Sequence, residues 1–177
     1  MKMITFITGP VSCGKTANLL IKYYNMKSRR KEDDIVLITH ETIGDMSIKT
    51  RLSDKNMKVD YVVSGECDIE RDLEKYRYIF VDEIQFFSEK EVLSLLRLSV
   101  DRDIYCYGIK TNQYGELFKG AEVLLRYADD IVNCNTQCSR CDSEYANCSE
   151  KIVPDDREID IGHDKYIPVC KKCFLRM

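Results

Sequence analysis

A chain of 177 residues holds one α/β domain with a proper core plus a small appendage, and is too short for two full domains. Its formal net charge of −3 offers no general attraction to nucleic acid, and the basic run "KSRRK" reads as the solvated end of a helix. No apolar stretch approaches membrane-spanning length and the opening "MITFIT" is too short and wrongly followed for a secretory signal, so a cytoplasmic protein without a membrane partner is expected.

"MITFIT" is a short β-branched, apolar run that reads as a first strand, and "KTANLLIKYY" behind it has apolar residues at helical spacing. Between them stands "GPVSCGKT", that is Gly9, Pro10, Val11, Ser12, Cys13, Gly14, Lys15 and Thr16. The pattern G-x-x-x-x-G-K-[ST] at a strand-to-helix junction is a phosphate loop. Its backbone N–H groups surround anionic oxygens, its lysine reaches the terminal phosphates, and its hydroxyl serves Mg²⁺. A nucleotide such as ATP is the implied ligand.

"DDIVLITH" and "KVDYVV" read as second and third strands. Neither alternates polar with apolar residues, which argues for a parallel sheet covered on both faces. "DIERDLEKY" is a polar helix leading to the strand "RYIFVDE", whose apolar run ends in Asp82 and Glu83. Ser88 and Glu91 form a capping box for the helix "EVLSLLRLSV". "DIYCYGI" is a further buried strand, "KTNQYGELFKG" a loop, and "AEVLLRYADD" a short helix. Ligands of such sheets sit at the carboxyl ends of strands, so Asp82 is placed to serve the metal opposite Thr16. Glu83 beside it would orient a water in an ATPase or take a hydroxyl proton in a kinase, and spacing alone leaves both open. Phe86, Phe87 and Phe118 offer a wall on which a flat ligand can stack.

The βα rhythm stops near Asn135, which divides the chain into a nucleotide-binding part, 1–134, and a C-terminal part, 135–177. The latter carries "CSRC" and "CKKC". Two C-x-x-C knuckles, Cys138 with Cys141 and Cys170 with Cys173, bind Zn²⁺ tetrahedrally when brought together; a disulfide framework competes, but suits a secreted protein. Cys134 and Cys148 are spare thiols on either reading.

"FVDEIQFF" resembles the D-E-A-Q-F-F signature of the zinc-containing thymidine kinases shared by vertebrate cytosol, bacteria and several DNA viruses. "YGIKTNQYGELFKGAEVLLRYAD" is similar to the same family's G-L-x-T-D-F-x-G-x-L-F segment, and "IGHDKYIPVCKKCF" to its I-G-G-x-D-K-Y-x-x-V-C-x-x-C terminus. The resemblance implies a doubly wound, RecA-like domain with a small zinc ribbon, and a lasso loop from about Ile152 to Tyr166 that closes over the nucleoside. It implies ATP-dependent phosphorylation of thymidine in deoxyribonucleotide salvage, with Glu83 as the base. Lys15 would contact the phosphates, and Thr16 and Asp82 the Mg²⁺. Val11, Ile109, Phe86, Phe118 and Tyr166 would line the nucleoside pocket, and Cys138, Cys141, Cys170 and Cys173 would hold Zn²⁺. A homotetramer and feedback by the triphosphate end product are further family expectations. The chain departs from the family at Val11, Ser12 and Cys13, where Met, Phe and Ser are usual, at Gln113 in place of a pocket phenylalanine, and at His163 in place of a glycine. Asp45 is the counterpart of the family's D-x-R-Y aspartate, and Arg51 aligns with its arginine only loosely. A kinase of shifted base preference, or a nucleotide-binding regulator without turnover, are the alternatives to be distinguished.

Overall fold

The apolar runs read as buried strands all enter one parallel sheet. The computed structural model describes residues 2–30, 32–44, 47–50, 53–153 and 165–176. Strand β1 (Ile4–Thr8) runs into the glycine-bearing loop and helix α1 (Lys15–Lys27), followed by β2 (Ile35–His40). A hairpin, β3 (Ser47–Thr50) and β4 (Ser53–Lys58), precedes β5 (Tyr61–Val63) and the short helix α2 (Ile69–Leu73). Then come β6 (Tyr78–Val81), α3 (Glu89–Leu98), β7 (Asp103–Gly108), α4 (Lys119–Tyr127) and β8 (Asp130–Asn133). The chain ends in a second hairpin, β9 (Cys148–Lys151) and β10 (Tyr166–Val169), and one helical turn, α5 (Lys171–Phe174). The sheet order is β5-β2-β6-β7-β1-β8, with all neighbours parallel.

The unbroken apolar runs follow from this arrangement. Ile4, Phe6, Val36, Ile38, Ile79, Val81, Ile104 and Cys106 pack on one face against α2, α3 and α4. The residues between them, Ile7, Ile35, Leu37, Tyr78, Phe80 and Tyr107, pack on the other against Leu19 and Tyr23 of α1 and Ile48 of the first hairpin. With both faces covered, most strand positions in the middle of the sheet are closed to water, Asp103 and Tyr105 of β7 being only partly buried. Each fully buried Ile, Leu or Phe contributes roughly 1.5–3 kcal/mol relative to exposure.

Several elements differ from the sequence reading. The third strand is shorter than "KVDYVV", because Asp60 is a turn residue whose carboxylate accepts from Leu37 N–H (2.8 Å) and Tyr23 Oη–H (3.1 Å). The polar helix is confined to Ile69–Leu73, started by the Asp68 side chain, which accepts from Arg71 N–H. Helix α4 starts at Lys119 and stops at Tyr127; Asp129 instead accepts from Ile4 N–H (2.8 Å) and Asp130 opens β8. The capping box is present: Ser88 Oγ accepts from Glu91 N–H and the Glu91 carboxylate accepts from Ser88 N–H. Asp45, Arg51 and His163 lie outside the described residues, as does the lasso between 154 and 164.

Candidate active site

Three strand ends converge on one edge of the sheet. From β1 the chain turns through the phosphate loop, where Ser12 (φ 60°) and Gly14 (φ 83°) are left-handed, and enters α1 at Lys15. No acidic residue occupies the first turn of α1, whereas α2, α3 and α4 all carry one there. The free N–H groups and dipole of α1 are therefore left for an outside anion. Lys15 Nζ is folded over the loop, donating to the carbonyls of Gly9 (2.9 Å) and Pro10 (2.6 Å) and to Cys13 Sγ (3.6 Å).

From β6 come Asp82 and Glu83. Asp82 is buried, and that burial, with the neighbouring Glu83 carboxylate second, raises its carboxyl to about 8; the Glu83 N–H and the Lys15 ammonium pull the other way and do not restore it. Lys15 is the cation nearby, and its pull is too weak to offset the burial. Thr8 Oγ1, on the last residue of β1, is buried without a hydrogen-bond partner among the described residues. Oxygen donors of this kind suit Mg²⁺, a hard cation.

Glu83 has φ 55° and ψ 45°, a left-handed conformation that costs a non-glycine residue about 1 kcal/mol or more and persists only where neighbours enforce it. The neighbour is Gln85. Its Nε2 donates to the Glu83 carboxylate, while its Oε1 accepts from Ile109 N–H at the end of β7 (3.2 Å). A Cβ at Gly108 would lie 2.4 Å from Gln85 Oε1, so the glycine there is what admits the amide. Phe86 and Phe118 stand edge to face with centroids 6.5 Å apart. Phe87, by contrast, is core, 1% exposed and packed against His40.

Sequence reasoning missed Gln85 and Ser149. Gln85 carried a signal, since it is the lone amide in an apolar run. Ser149 carried none. Its hydroxyl, on β9, accepts from Val11 N–H in the phosphate loop (3.1 Å), across most of the chain. Tyr166, on β10, donates its hydroxyl hydrogen to Gln113 Oε1 (3.2 Å) in the β7–α4 loop, and the Phe174 ring lies beside Gly115 of the same loop. The departure at Gln113 thus gives Tyr166 a polar partner.

The four knuckle cysteines come together. Their Sγ atoms all lie within 4.8 Å of one another, and those of Cys141 and Cys170 are 3.7 Å apart. A tetrahedral Zn²⁺ site with Zn–S bonds of about 2.3 Å requires about 3.8 Å. Burial raises the Cys138 thiol, but N–H groups of Cys170 (3.2 Å) and Arg140 (3.4 Å) outweigh it and bring it down to about 6. The Cys173 thiol is held up to about 12 by hydrogen bonds with Cys141 and Cys170. Thiols competing in this way become four thiolates only around a cation. All nine cysteines are free thiols here, and the gathering of four sulfurs at one point fits a metal site better than a disulfide framework.

The family model described as thymidine kinase matches residues 2–174. Among curated relatives, the thymidine kinase of Pseudothermotoga lettingae is 31% identical over 98% of this chain and 95% of its own length. That of Vibrio vulnificus is 30% identical over 98% and 97%, and that of Encephalitozoon cuniculi 26% over 97% and 86%. Among solved structures, a Pif1 helicase described in a study of DNA unwinding at forked DNA superposes with a TM-score of 0.40 at 12% identity, covering 79% of this chain, which spans 42% of that one.

Proposed function

The chain belongs to the thymidine kinase family, and on that premise we propose that it transfers the γ-phosphoryl group of ATP to the 5′-hydroxyl of thymidine, giving thymidine monophosphate. The observation that carries this reading is Glu83, strained and pinned by Gln85 beside the buried Asp82. A regulator without turnover has no use for a carboxylate held at such cost.

Each residue then has a task. Lys15 exchanges its bonds to Gly9 and Pro10 for the terminal phosphates, and the amides around Gly14 receive the remaining phosphate oxygens. Thr16 and Asp82 are the residues that would hold Mg²⁺, which supplies neutralisation of charge between the phosphates. Glu83 accepts the proton of the attacking hydroxyl, and Gln85 keeps its carboxylate aimed. Val11, Ile109, Phe86, Phe118 and Tyr166 enclose the base and sugar. Cys138, Cys141, Cys170 and Cys173 would hold Zn²⁺ as a structural ion.

We place the boundary between a nucleotide-binding domain, 1–134, and a zinc-binding domain, 135–177. Supporting it, β8 ends at Asn133 and a separate apolar cluster forms around Cys138, Ala146, Val169 and Cys170. Free thiols agree with a reducing, cytoplasmic setting. A homo-oligomer is proposed on family grounds, and the exposed Ile131 and Val132 of edge strand β8 agree with it.

The test is kcat/KM for thymidine, deoxyuridine and deoxycytidine with ATP and Mg²⁺ under one set of conditions. Deoxycytidine presents an amino group where thymidine has a carbonyl, and each mismatched buried bond costs roughly 1–3 kcal/mol, so it is disfavoured at least about 10-fold. Deoxyuridine lacks only a methyl, worth about 1 kcal/mol. Deoxycytidine used as well as thymidine would move the activity to a kinase of relaxed base preference, and no transfer to any nucleoside would overturn the kinase reading.

A further inference from the structure

The phosphate loop contains a thiol that its pattern does not require, and a second thiol meets it. Cys13 lies between the two left-handed residues Ser12 and Gly14, and Cys134 is the first residue after β8, anchored by its N–H to Thr8 O (2.7 Å). Gly9 separates the two backbones. A Cβ built there would be 2.7 Å from Cys13 Sγ and 2.3 Å from Cys134 O, so both residues crowd onto one point that the missing side chain leaves open. Cys13 Sγ and the Cys134 backbone thus flank the same gap, and both residues are half-buried rather than sealed in the core. Neither belongs to the zinc cluster.

We infer that Cys13 and Cys134 form a reversible oxidation site, in which a small-molecule disulfide links the two and locks the phosphate loop against nucleotide. Cys13, which accepts a hydrogen bond from the Lys15 ammonium at 3.6 Å, is the attacking sulfur. Its thiolate attacks one sulfur of the reagent disulfide, forming a mixed disulfide and releasing one thiolate. Cys134 gives its proton to solvent and attacks Cys13 Sγ, forming the intramolecular bond and displacing the second thiolate. Two protein thiols are oxidised and one reagent disulfide is reduced to two thiols. Burial raises the Cys134 thiol, in keeping with its acting second.

The consequence for nucleotide follows from Lys15. It is folded onto Gly9 O, Pro10 O and Cys13 Sγ, so the loop must open for the ammonium to reach a phosphate. A covalent tie from Cys13 to the end of β8 holds the turn closed. In a reducing compartment such a bond is transient, as redox-sensing disulfides are. This consequence rests on the nucleotide reading of the loop, whereas the bond itself does not.

The experiment treats the zinc-loaded full chain with glutathione disulfide and follows three quantities: the peptide map after alkylation, zinc content, and affinity for a fluorescent ATP analogue. The expected result is a Cys13–Cys134 linked peptide with zinc retained, ATP affinity at least about tenfold weaker, and full recovery with dithiothreitol. In Cys134→Ser the second step is lost, so one glutathione accumulates on Cys13; before oxidation this variant binds the analogue as the parent does. If the parent itself accumulates glutathione on Cys13, or pairs other cysteines first, the site is wrong. If the linked protein binds the analogue as the reduced one does, the lock is wrong. A reduced parent that does not bind the analogue at all would count against the nucleotide reading, and the peptide map would still decide the thiol pair.

Discussion

At the scale of single residues, the site is built from groups held where they would not rest alone. Glu83 occupies a left-handed conformation, and Gln85 ties its carboxylate to the end of β7. With Glu83 as the proposed base, Glu83→Gln keeps the shape and removes that base, so kcat is expected to fall about 10²–10⁴-fold with nucleotide binding intact; turnover within a few-fold of the parent would remove Glu83 from that role. Gln85→Leu keeps the base but frees it, and a misplacement on this scale costs about 10–100-fold in kcat, with the KM for ATP little changed. Asp82 adds a pH signature. Its carboxyl is raised from 3.8 to about 8 by burial and by Glu83, with Lys15 the nearby cation. A raised carboxyl favours the fold while protonated, so its contribution is full below pH 3.8 and is lost as pH rises through about 8. The metal-free melting temperature should therefore fall across this range relative to Asp82→Asn, and Mg²⁺ with ATP should recover more stability at pH 8 than at pH 6. A constant difference between the two proteins would contradict the assignment. The placement of Lys15, Asp82 and Glu83 at neighbouring strand ends was legible because the phosphate-loop pattern and an apolar run ending in carboxylates are local features of the sequence. Gln85 was harder, because its two partners meet only after β6 and β7 pair.

The elements divide in the same way, by whether their cause is local. The capping box at Ser88 and Glu91 is a local pattern and forms as expected, and it sets the first turn of α3 directly after the segment carrying Glu83, Gln85 and Phe86. The Glu91 carboxylate also meets His40 Nε2 at 3.5 Å, which joins the start of α3 to the end of β2. Ser88→Ala should cost about 1 kcal/mol, the usual loss for such a cap, seen as a lower denaturant midpoint with an unchanged slope. A neutral substitution would mean that α3 is started by its packing alone. Strands β1, β2, β6 and β7 were legible because parallel central strands need continuous apolar runs. Strand β8 was not: all four of its residues are exposed, and "DIVN" adjoins a helical pattern. The two hairpins were missed for a related reason. β3 and β4 are rich in polar residues, and β9 pairs with β10 beside the cysteine cluster, across a long intervening stretch of chain. Pairing set by distant contacts leaves little periodicity in the strand itself.

For the whole molecule, the cysteine cluster and the phosphate loop are mechanically linked. Ser149 on β9 accepts from Val11 N–H, Tyr166 on β10 donates to Gln113, and Phe174 of α5 lies beside Gly115. All three contacts originate in the hairpin and turn that Cys138, Cys141, Cys170 and Cys173 gather, and all three end on loops at the carboxyl edge of the sheet. The apolar cluster around Ala146 and Val169 is small, so with zinc bound by the four cysteines, metal ligation would supply much of what holds this part together. The sheet has its own two-sided core. The purified chain should carry about one zinc, and removing it with a chelator, or by Cys141→Ser, should raise the KM for thymidine and weaken ATP binding before the sheet unfolds. Hydrogen exchange separates the two regions: protection should disappear from β9, β10 and α5 while β1, β6 and β7 keep theirs. Ser149→Ala, which leaves the metal in place and removes only the bond to Val11, should reproduce part of the loss in affinity with no change in zinc content. If metal removal leaves both affinities unchanged, the contacts between the ribbon and the loops carry no coupling; if the sheet loses protection together with the ribbon, the two share one folding unit and the zinc is a requirement for the fold itself.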